Sequence, residues 1–367
     1  MSLPAIILCD PATAALQIVA LPVLDRLIVA AHRAGAAPIT VVSRERLPPL
    51  PRTTAFDIKF QSVATTPQVS GPTLVLTTGL LVQSVDLKAL MPNHGRLVAR
   101  DGTLLPAGVV QGPLAANLED QLRPLPNVIA TGVAEPIAGP ASAPAVSRAL
   151  WGSLASSLDG VVDKYFNRPA GRILSKLLAH TPVSPNQVSL AASLVGLVSA
   201  WSFAVGSHRA AVWGAIVLQL SAILDALDGD LARVMLKESR FGKWLDIVGD
   251  QVVHIAVFVA VGVGLYRSGS VAPVFPLAMS AAIGVVISLI VVVRGLKQAE
   301  SQCDTLSRRL IEATANRDFS VLLIILAAVN KLEWFLWATA IGVHFFWILI
   351  LAAQLKESSS SRSTGKP

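Results

Sequence analysis

Two hydrophobic rhythms divide the chain. Before about Ser147, apolar residues come in short runs broken by turn residues; after about Asn186 they come in runs long enough to cross lipid. In the first region Ala5–Leu8 is a strand-length apolar run. Residues 21–34 place Leu21, Leu24, Leu27, Ile28 and Ala31 on one helical face, Gly35 stops that helix, and residues 38–43 are β-branched. This predicts a strand–helix–strand unit in a parallel sheet. Thr73–Thr77 reads as another buried strand, residues 85–90 as a short helix, and residues 97–100 and 104–109 flank Asp101-Gly102 as a hairpin. Residues 135–144, rich in Ala and Pro, read as a linker.

Between the two regions, residues 150–180 scatter Lys164, Arg168, Arg172 and Lys176 among Leu, Ile, Val, Tyr165 and Phe166, with Pro169 suited to a first helical turn. The pattern predicts one or two amphipathic helices on a lipid surface. Six candidate spans follow at 188–206, 210–231, 244–266, 273–293, 319–329 and 334–353. The fifth is short, and an earlier start within 306–317 would lengthen it. The expected fold is therefore an α-helical membrane domain of six transmembrane helices (187–355), preceded by an amphipathic juxtamembrane segment (146–186) and a soluble N-terminal α/β domain (1–145). Residues 356–367, ending SSSSRSTGKP, read as a disordered tail.

Composition supports lipid: 53% of the 367 residues are hydrophobic and 14% charged, with mean hydropathy +0.61. The net charge is +7, yet no Lys/Arg block with interleaved aromatics marks a nucleic-acid surface. The cations flank the apolar runs instead. Arg233, Lys237, Arg240, Lys243, Arg294, Lys297, Arg308, Arg309 and Arg317 fall in one set of loops, against mainly Arg209, Arg267 and Lys331 in the other. The positive-inside rule then expects a multi-pass inner-membrane protein with both termini and any site on the richer side facing the cytoplasm. Cys9 and Cys303, far apart, read as two free thiols on the reducing side of the membrane. The first residues, lacking a basic leader, read as a strand rather than a signal peptide.

One stretch runs against the hydrophobicity. Asp225 and Asp228 are three apart, Asp246 and Asp250 four apart, so each pair shares a helix face near the same membrane surface. Four carboxylates in a small volume raise one another's pKa unless cations neutralise them. Oxygen ligands at that density suit Mg²⁺, Mn²⁺ or Ca²⁺ rather than zinc. On the acids alone a second reading stands open: an ion pathway, or carboxylates salt-bridged to Arg233 and Arg240. The neighbours favour the metal. Gly229 lets a ligand approach the backbone, Arg233 offers a donor fork suited to phosphate, and Gly242 opens the next helix.

Together these residues read Asp225-x2-Asp228-Gly229-x2-Ala232-Arg233-x8-Gly242-x3-Asp246-x3-Asp250, eight positions at fixed spacing. The stretch resembles the signature of the CDP-alcohol phosphotransferases, and with the six-span pattern and the 181–188 approach the resemblance covers residues 150–355. It implies an enzyme that passes a phosphoryl-alcohol group from a CDP-alcohol to an acceptor alcohol or phospho-alcohol and releases CMP. It also implies Mg²⁺ or Mn²⁺, two divalent cations in all, held by Asp225, Asp228, Asp246 and Asp250, with Asp250 a ligand or the general base. Asn186, Gly229, Ala232, Arg233, Ser239 and Gly242 would meet the CDP portion. Arg294, Lys297, Arg308, Arg309 and Arg317 either bind a phosphate on the acceptor or serve membrane topology alone. Membrane lipid is an expected partner and homodimers are common in the family. His254 and His344, inside apolar runs, read as packing or hydrogen-bonding residues.

Residues 21–43 resemble the helix-plus-strand segment of sugar-nucleotide nucleotidyltransferases, a domain that precedes the membrane part in some members of the family. Here Cys9-Asp10-Pro11-Ala12-Thr13-Ala14 stands where Gly-x-Gly-x-Arg would cradle a triphosphate, and the downstream Pro-Lys pair is missing. The expectation is an inactive nucleotidyltransferase-like domain. For the whole chain the leading expectation is a phospholipid synthase using CDP-diacylglycerol or a similar donor. The alternatives are a di-inositol-phosphate-synthase-like enzyme using soluble CDP-inositol and inositol phosphate, an ion-coupled transporter, and an inactive scaffold.

Overall fold

The short apolar runs near the start of the chain become strands of one sheet. The computed structural model describes residues 2–69, 71–115, 117–154, 161–299 and 319–363. These fall into two units, Met1–Leu154 with Val234–Leu236, and Ala155–Arg233 with Lys237–Pro367. The first unit runs β1 (Ala5–Leu8), α1 (Pro11–Ala14), β2 (Gln17–Ile18), β3 (Leu21–Pro22), α2 (Val23–Ala34), β4 (Ile39–Val42), α3 (Pro51–Ala55), β5 (Gln61–Val63), β6 (Thr73–Thr77), β7 (Leu80–Val82), α4 (Ser84–Asn93), β8 (Arg96–Val98), β9 (Leu104–Val110), α5 (Leu118–Leu122), β10 (Asn127–Ile129), β11 (Ala134–Pro136) and α6 (Ala143–Gly152).

Seven strands form the main sheet in the order β10-β8-β9-β6-β1-β4-β5. β9 runs antiparallel to β6 and β8, while β1, β4, β5 and β6 pair in parallel; the central β1 and β6 carry the near-continuous apolar runs of strands covered on both faces, and the edge strand β5 does not. The predicted hairpin is present as β8–β9, with Gly102 at φ +88° in its turn. The helical face predicted for residues 21–34 is buried throughout, but Leu21 belongs to β3 and the helix starts at Val23. The predicted linker is partly strand: Glu135 sits in β11, which pairs antiparallel with β7. That pairing is invisible locally because its partner lies some fifty residues earlier in the chain.

Buried acids in this unit are spent on backbone. Asp25, fully buried on α2, accepts from Arg52 N and Thr53 N, both at 2.8 Å, and so caps the start of α3. Asp86 accepts from Thr131 N at 2.7 Å and Gly132 N at 2.8 Å.

The second unit is helical. A π-helical turn (Asp163–Asn167) leads into α7 (Arg168–Leu178), then α8 (Pro185–Ala204), α9 (His208–Val234), α10 (Arg240–Arg267), α11 (Val274–Ala299), α12 (Phe319–Ala328) and α13 (Leu332–Ser363). Helix α7 is amphipathic as predicted, with Ile173 and Leu177 exposed and Gly171 and Ser175 buried. Pro185 at the first turn and a capping box between Ser184 and Gln187 fix the start of α8.

Among the described residues, five helices are long and apolar enough to cross a membrane: Pro185–Ala204, His208–Val234, Arg240–Arg267, Val274–Gly295 and Leu332–Glu357. The sixth expected span is α12, ten apolar residues covering about 15 Å at 1.5 Å per residue, half a hydrocarbon core. The earlier start expected for it falls on residues 300–318, outside the described ones. The core joins Phe203, Ala215, Leu218, Val257, Phe258, Val261, Ala281, Leu323 and Phe335 from all of these helices except α7. His254 packs among Phe258 and Phe319, and His344 bonds Ser280 and Trp347, the structural roles predicted for both.

Candidate metal and phosphate site

Helices α8, α9 and α10 open at one end into a cleft of about 480 Å³. It is lined by Pro185, Asn186 and Ser189 of α8, by Asp228, Gly229, Ala232 and Arg233 of α9, by Lys237, Glu238 and Ser239 of the connection, and by Arg240, Gly242, Lys243 and Asp246 of α10. Six of the residues expected to meet a nucleotide are therefore gathered at one opening. Asn186, expected there from the resemblance alone, reaches it from the preceding helix.

Three of the four predicted acids converge. Asp225, Asp228 and Asp246 offer carboxylate oxygens that all lie within 4.8 Å of one another, Asp228 buried and the other two half-buried. The three-residue spacing on α9 aims Asp225 and Asp228 the same way, and α10 brings Asp246 across. Asp250, one turn further along α10, stands outside that group of three and does not line the cleft.

Like charges this close persist only when a cation offsets them; otherwise protons neutralise them. A set of carboxylate oxygens fits a hard divalent ion such as Mg²⁺ or Mn²⁺. Arg233, a salt-bridge partner expected for the acids in the second reading, is instead ion-paired to Asp230 at 2.7 Å.

Ser189 is a site residue the sequence reading did not pick out. Its hydroxyl donates to Asp228 Oδ2 from one turn inside α8, orienting that carboxylate. A serine inside an apolar helix was the available signal. Gly242 earns its place by contact: a Cβ there would fall 2.7 Å from Asn186 Oδ1 and 3.0 Å from Ser239 Oγ. Ser239 caps α10, its Oγ accepting from Gly242 N at 2.9 Å. A Cβ on Gly229 would meet only Arg233 Nη2, at 3.7 Å, so glycine there leaves room in the cleft.

Of the basic residues expected either to bind an acceptor phosphate or to serve topology, Arg294 is exposed on α11 and is not among the cleft-lining residues. Lys297 lies on α11 with its side chain outside the described ones, and Arg308, Arg309 and Arg317 lie outside the described residues altogether. The cleft's own cations are Arg233, Lys237, Arg240 and Lys243. These four cations line the same cleft as Asp228 and Asp246 and form its basic rim, a charge pattern suited to a phosphorylated ligand.

The first unit treats its comparable position differently. In a doubly wound sheet, ligands bind beyond the carboxyl ends of the strands where the order reverses, here β1 and β6. At that point α1 has only four residues, Pro11 offers no N–H, and the Asp10 carboxylate accepts from Ala12 N at 3.0 Å. Thr78 Oγ1 accepts from Asp10 N at 2.8 Å and from Thr13 Oγ1 at 2.9 Å, which ties the two strand ends together.

The helical unit is thus a bundle of apolar, membrane-length helices with a carboxylate cluster beside a cleft lined by basic residues. Residues 182–353 match the sequence profile of the CDP-alcohol phosphatidyltransferase family, so this stretch of the helical unit is a domain of that kind. It is similar to the bifunctional IPC transferase and DIPP synthase of Aquifex aeolicus, 32% identical over 115 residues, which are 31% of this chain and 26% of that protein. It is also similar to the archaetidylinositol phosphate synthase of Pyrococcus horikoshii, 33% identical over 97 residues, 26% of this chain and 50% of that one. The chain thus spans half or less of the length of these relatives. Among solved structures, the phosphatidylinositol phosphate synthase of Mycobacterium tuberculosis with CDP-DAG bound matches at 18% identity and a TM-score of 0.36, covering 52% of this chain and 91% of that one.

Proposed function

We propose that the helical unit is a metal-dependent CDP-alcohol phosphotransferase, and the convergence of Asp225, Asp228 and Asp246, the last two of which line a basic cleft, carries that reading. The acceptor hydroxyl attacks the phosphorus that bears the donor's alcohol. The bond from that phosphorus to the bridging oxygen breaks, CMP leaves with the bridging oxygen, and the acceptor's proton goes to a nearby carboxylate. Asp250, adjacent on α10, is our candidate for that base. Two divalent cations held by the acids would offset the charge of the diphosphate and of departing CMP. Arg233 and the rest of the basic rim orient the phosphates, Ser189 holds Asp228 in place, and Gly242 lets Asn186 approach the nucleotide.

The basic rim sits where the positive-inside rule puts the cytoplasm, so we assign the cleft to that side of the membrane. Helix α7 lies on the same membrane surface, where Ile173, Leu177, Tyr165 and Phe166 enter lipid. The α/β unit is a nucleotidyltransferase-like domain without catalytic function, since Asp10 occupies with negative charge the helix start at which a triphosphate would be bound.

Two donors are in view. A lipid donor, CDP-diacylglycerol or a relative, suits a cleft that opens at the level of an amphipathic helix. A soluble donor, CDP-inositol with inositol phosphate as acceptor, is favoured by the named function of the Aquifex aeolicus relative. Full-length protein in detergent, given Mg²⁺ or Mn²⁺ and each donor in turn, should release CMP when the right acceptor is added. No CMP from any CDP-alcohol would end the proposal.

A further inference from the structure

Asp230 lies inside the signature stretch at a position the signature leaves open. Its side chain is 1% exposed, yet it neither joins the three clustered acids nor lines the cleft. One of its oxygens, Oδ1, takes two guanidinium groups: Nη2 of Arg233 at 2.7 Å and Nη1 of Arg168 at 2.9 Å. The two arginines differ in exposure. Arg168, the first residue of α7, is 15% exposed, whereas Arg233 is 43% exposed and faces the cleft.

The anchor behind this bridge is built. Helix α7 lies close on α9 through small residues: a Cβ on Gly171 would fall 3.4 Å from Ile223 O, and Ser175 Oγ bonds Gly171 O at 3.0 Å beside Leu227 O at 3.5 Å. We propose that Asp230 is a positioning residue, a buried carboxylate that ties Arg233 to the juxtamembrane helix and so fixes its guanidinium toward the diphosphate of the donor. A buried carboxylate needs such partners, and two cations on one anion leave a net positive charge at the cleft. A long arginine otherwise loses its side-chain freedom when the ligand binds; here that ordering is met in advance. The inference rests on the cleft being the donor site.

The test uses full-length protein with whichever CDP-alcohol the wild type turns over, at saturating Mg²⁺, reading CMP. Asp230→Asn should raise the donor KM about tenfold, the scale of losing an orienting partner, with kcat within about twofold. In an Arg233→Lys background the same change should add less than about twofold, because its effect runs through Arg233. An Asp230→Asn protein with wild-type Tm and wild-type donor KM overturns the proposal, and so do effects that multiply in full. Should Asp230→Asn fail to fold, Asp230→Glu keeps the charge and displaces it; a donor KM raised several-fold is expected, and an unchanged one overturns the idea. A wild type that releases no CMP from any CDP-alcohol sinks the reading of the site and this inference with it, and that arm is separate from the others.

Discussion

The two units use their carboxylates in opposite ways. In the α/β unit Asp10, Asp25 and Asp86 stand apart, and each accepts hydrogen bonds from backbone N–H groups that would otherwise be unsatisfied. There the acids stabilise the fold. In the helical unit Asp225, Asp228 and Asp246 are packed against one another, an arrangement that costs stability in the absence of a cation. A fold keeps such a cost for chemistry. The same residue type is scaffold in one unit and site in the other, and the partners decide which.

The contrast breaks most visibly at Asp228. Asp228→Asn keeps the shape and removes one ligand charge; CMP release should fall about 10³-fold, the several kcal/mol a metal contributes to phosphoryl transfer. A steady-state assay that finds activity within tenfold of wild type would place the metal elsewhere. Ser189→Ala, which removes the hydroxyl from Asp228 Oδ2, should weaken activating Mg²⁺ by about 10–100-fold, read as the shift in metal concentration at half activity. Gly242→Ala puts a Cβ 2.7 Å from Asn186 Oδ1. It should displace that side chain and raise the donor KM by roughly three- to tenfold, since a neighbour must move to relieve the overlap.

On the other side of the comparison, Asp25→Ala leaves two buried N–H groups and the Thr53 hydroxyl without their acceptor. The α/β unit should lose about 1–3 kcal/mol in denaturant unfolding, while CMP release is unchanged. The smallest effect concerns Cys9, whose thiol burial raises from 9.0 to about 11. Because the native state favours the protonated form, the associated stability is present below pH 9 and is lost as pH rises toward 11. Alkylation of Cys9 by iodoacetamide at pH 8 should therefore be slower in the folded chain than in urea, a difference that equal rates would refute.

Much of this was legible before any coordinates. The three- and four-residue spacings of the acids required one face on each of two helices, and the helices do bring three of them within 4.8 Å. Local periodicity sufficed for α2, and apolar run length for five of the six expected spans, α8, α9, α10, α11 and α13. What the sequence withheld depends on tertiary partners. The hydroxyl of Ser189 looks like any serine in an apolar helix until α9 is placed beside it. Asp230 reads as one more acid until Arg168, 62 residues earlier, is found on it. Strand β11 has no local pattern because its pairing partner supplies the register. Spacing along one helix is local information, whereas the angle between helices is not, so Asp250 could be placed on α10 from sequence but not its distance from the other three acids.

The most direct test of the central claim is Mn²⁺ binding by the full-length protein in detergent, followed by electron paramagnetic resonance without any substrate. Bound Mn²⁺ in the wild type, with occupancy much reduced in both Asp228→Asn and Asp246→Asn, is the result this account predicts. Equal Mn²⁺ binding by the wild type and both variants, with all three folded, would contradict it.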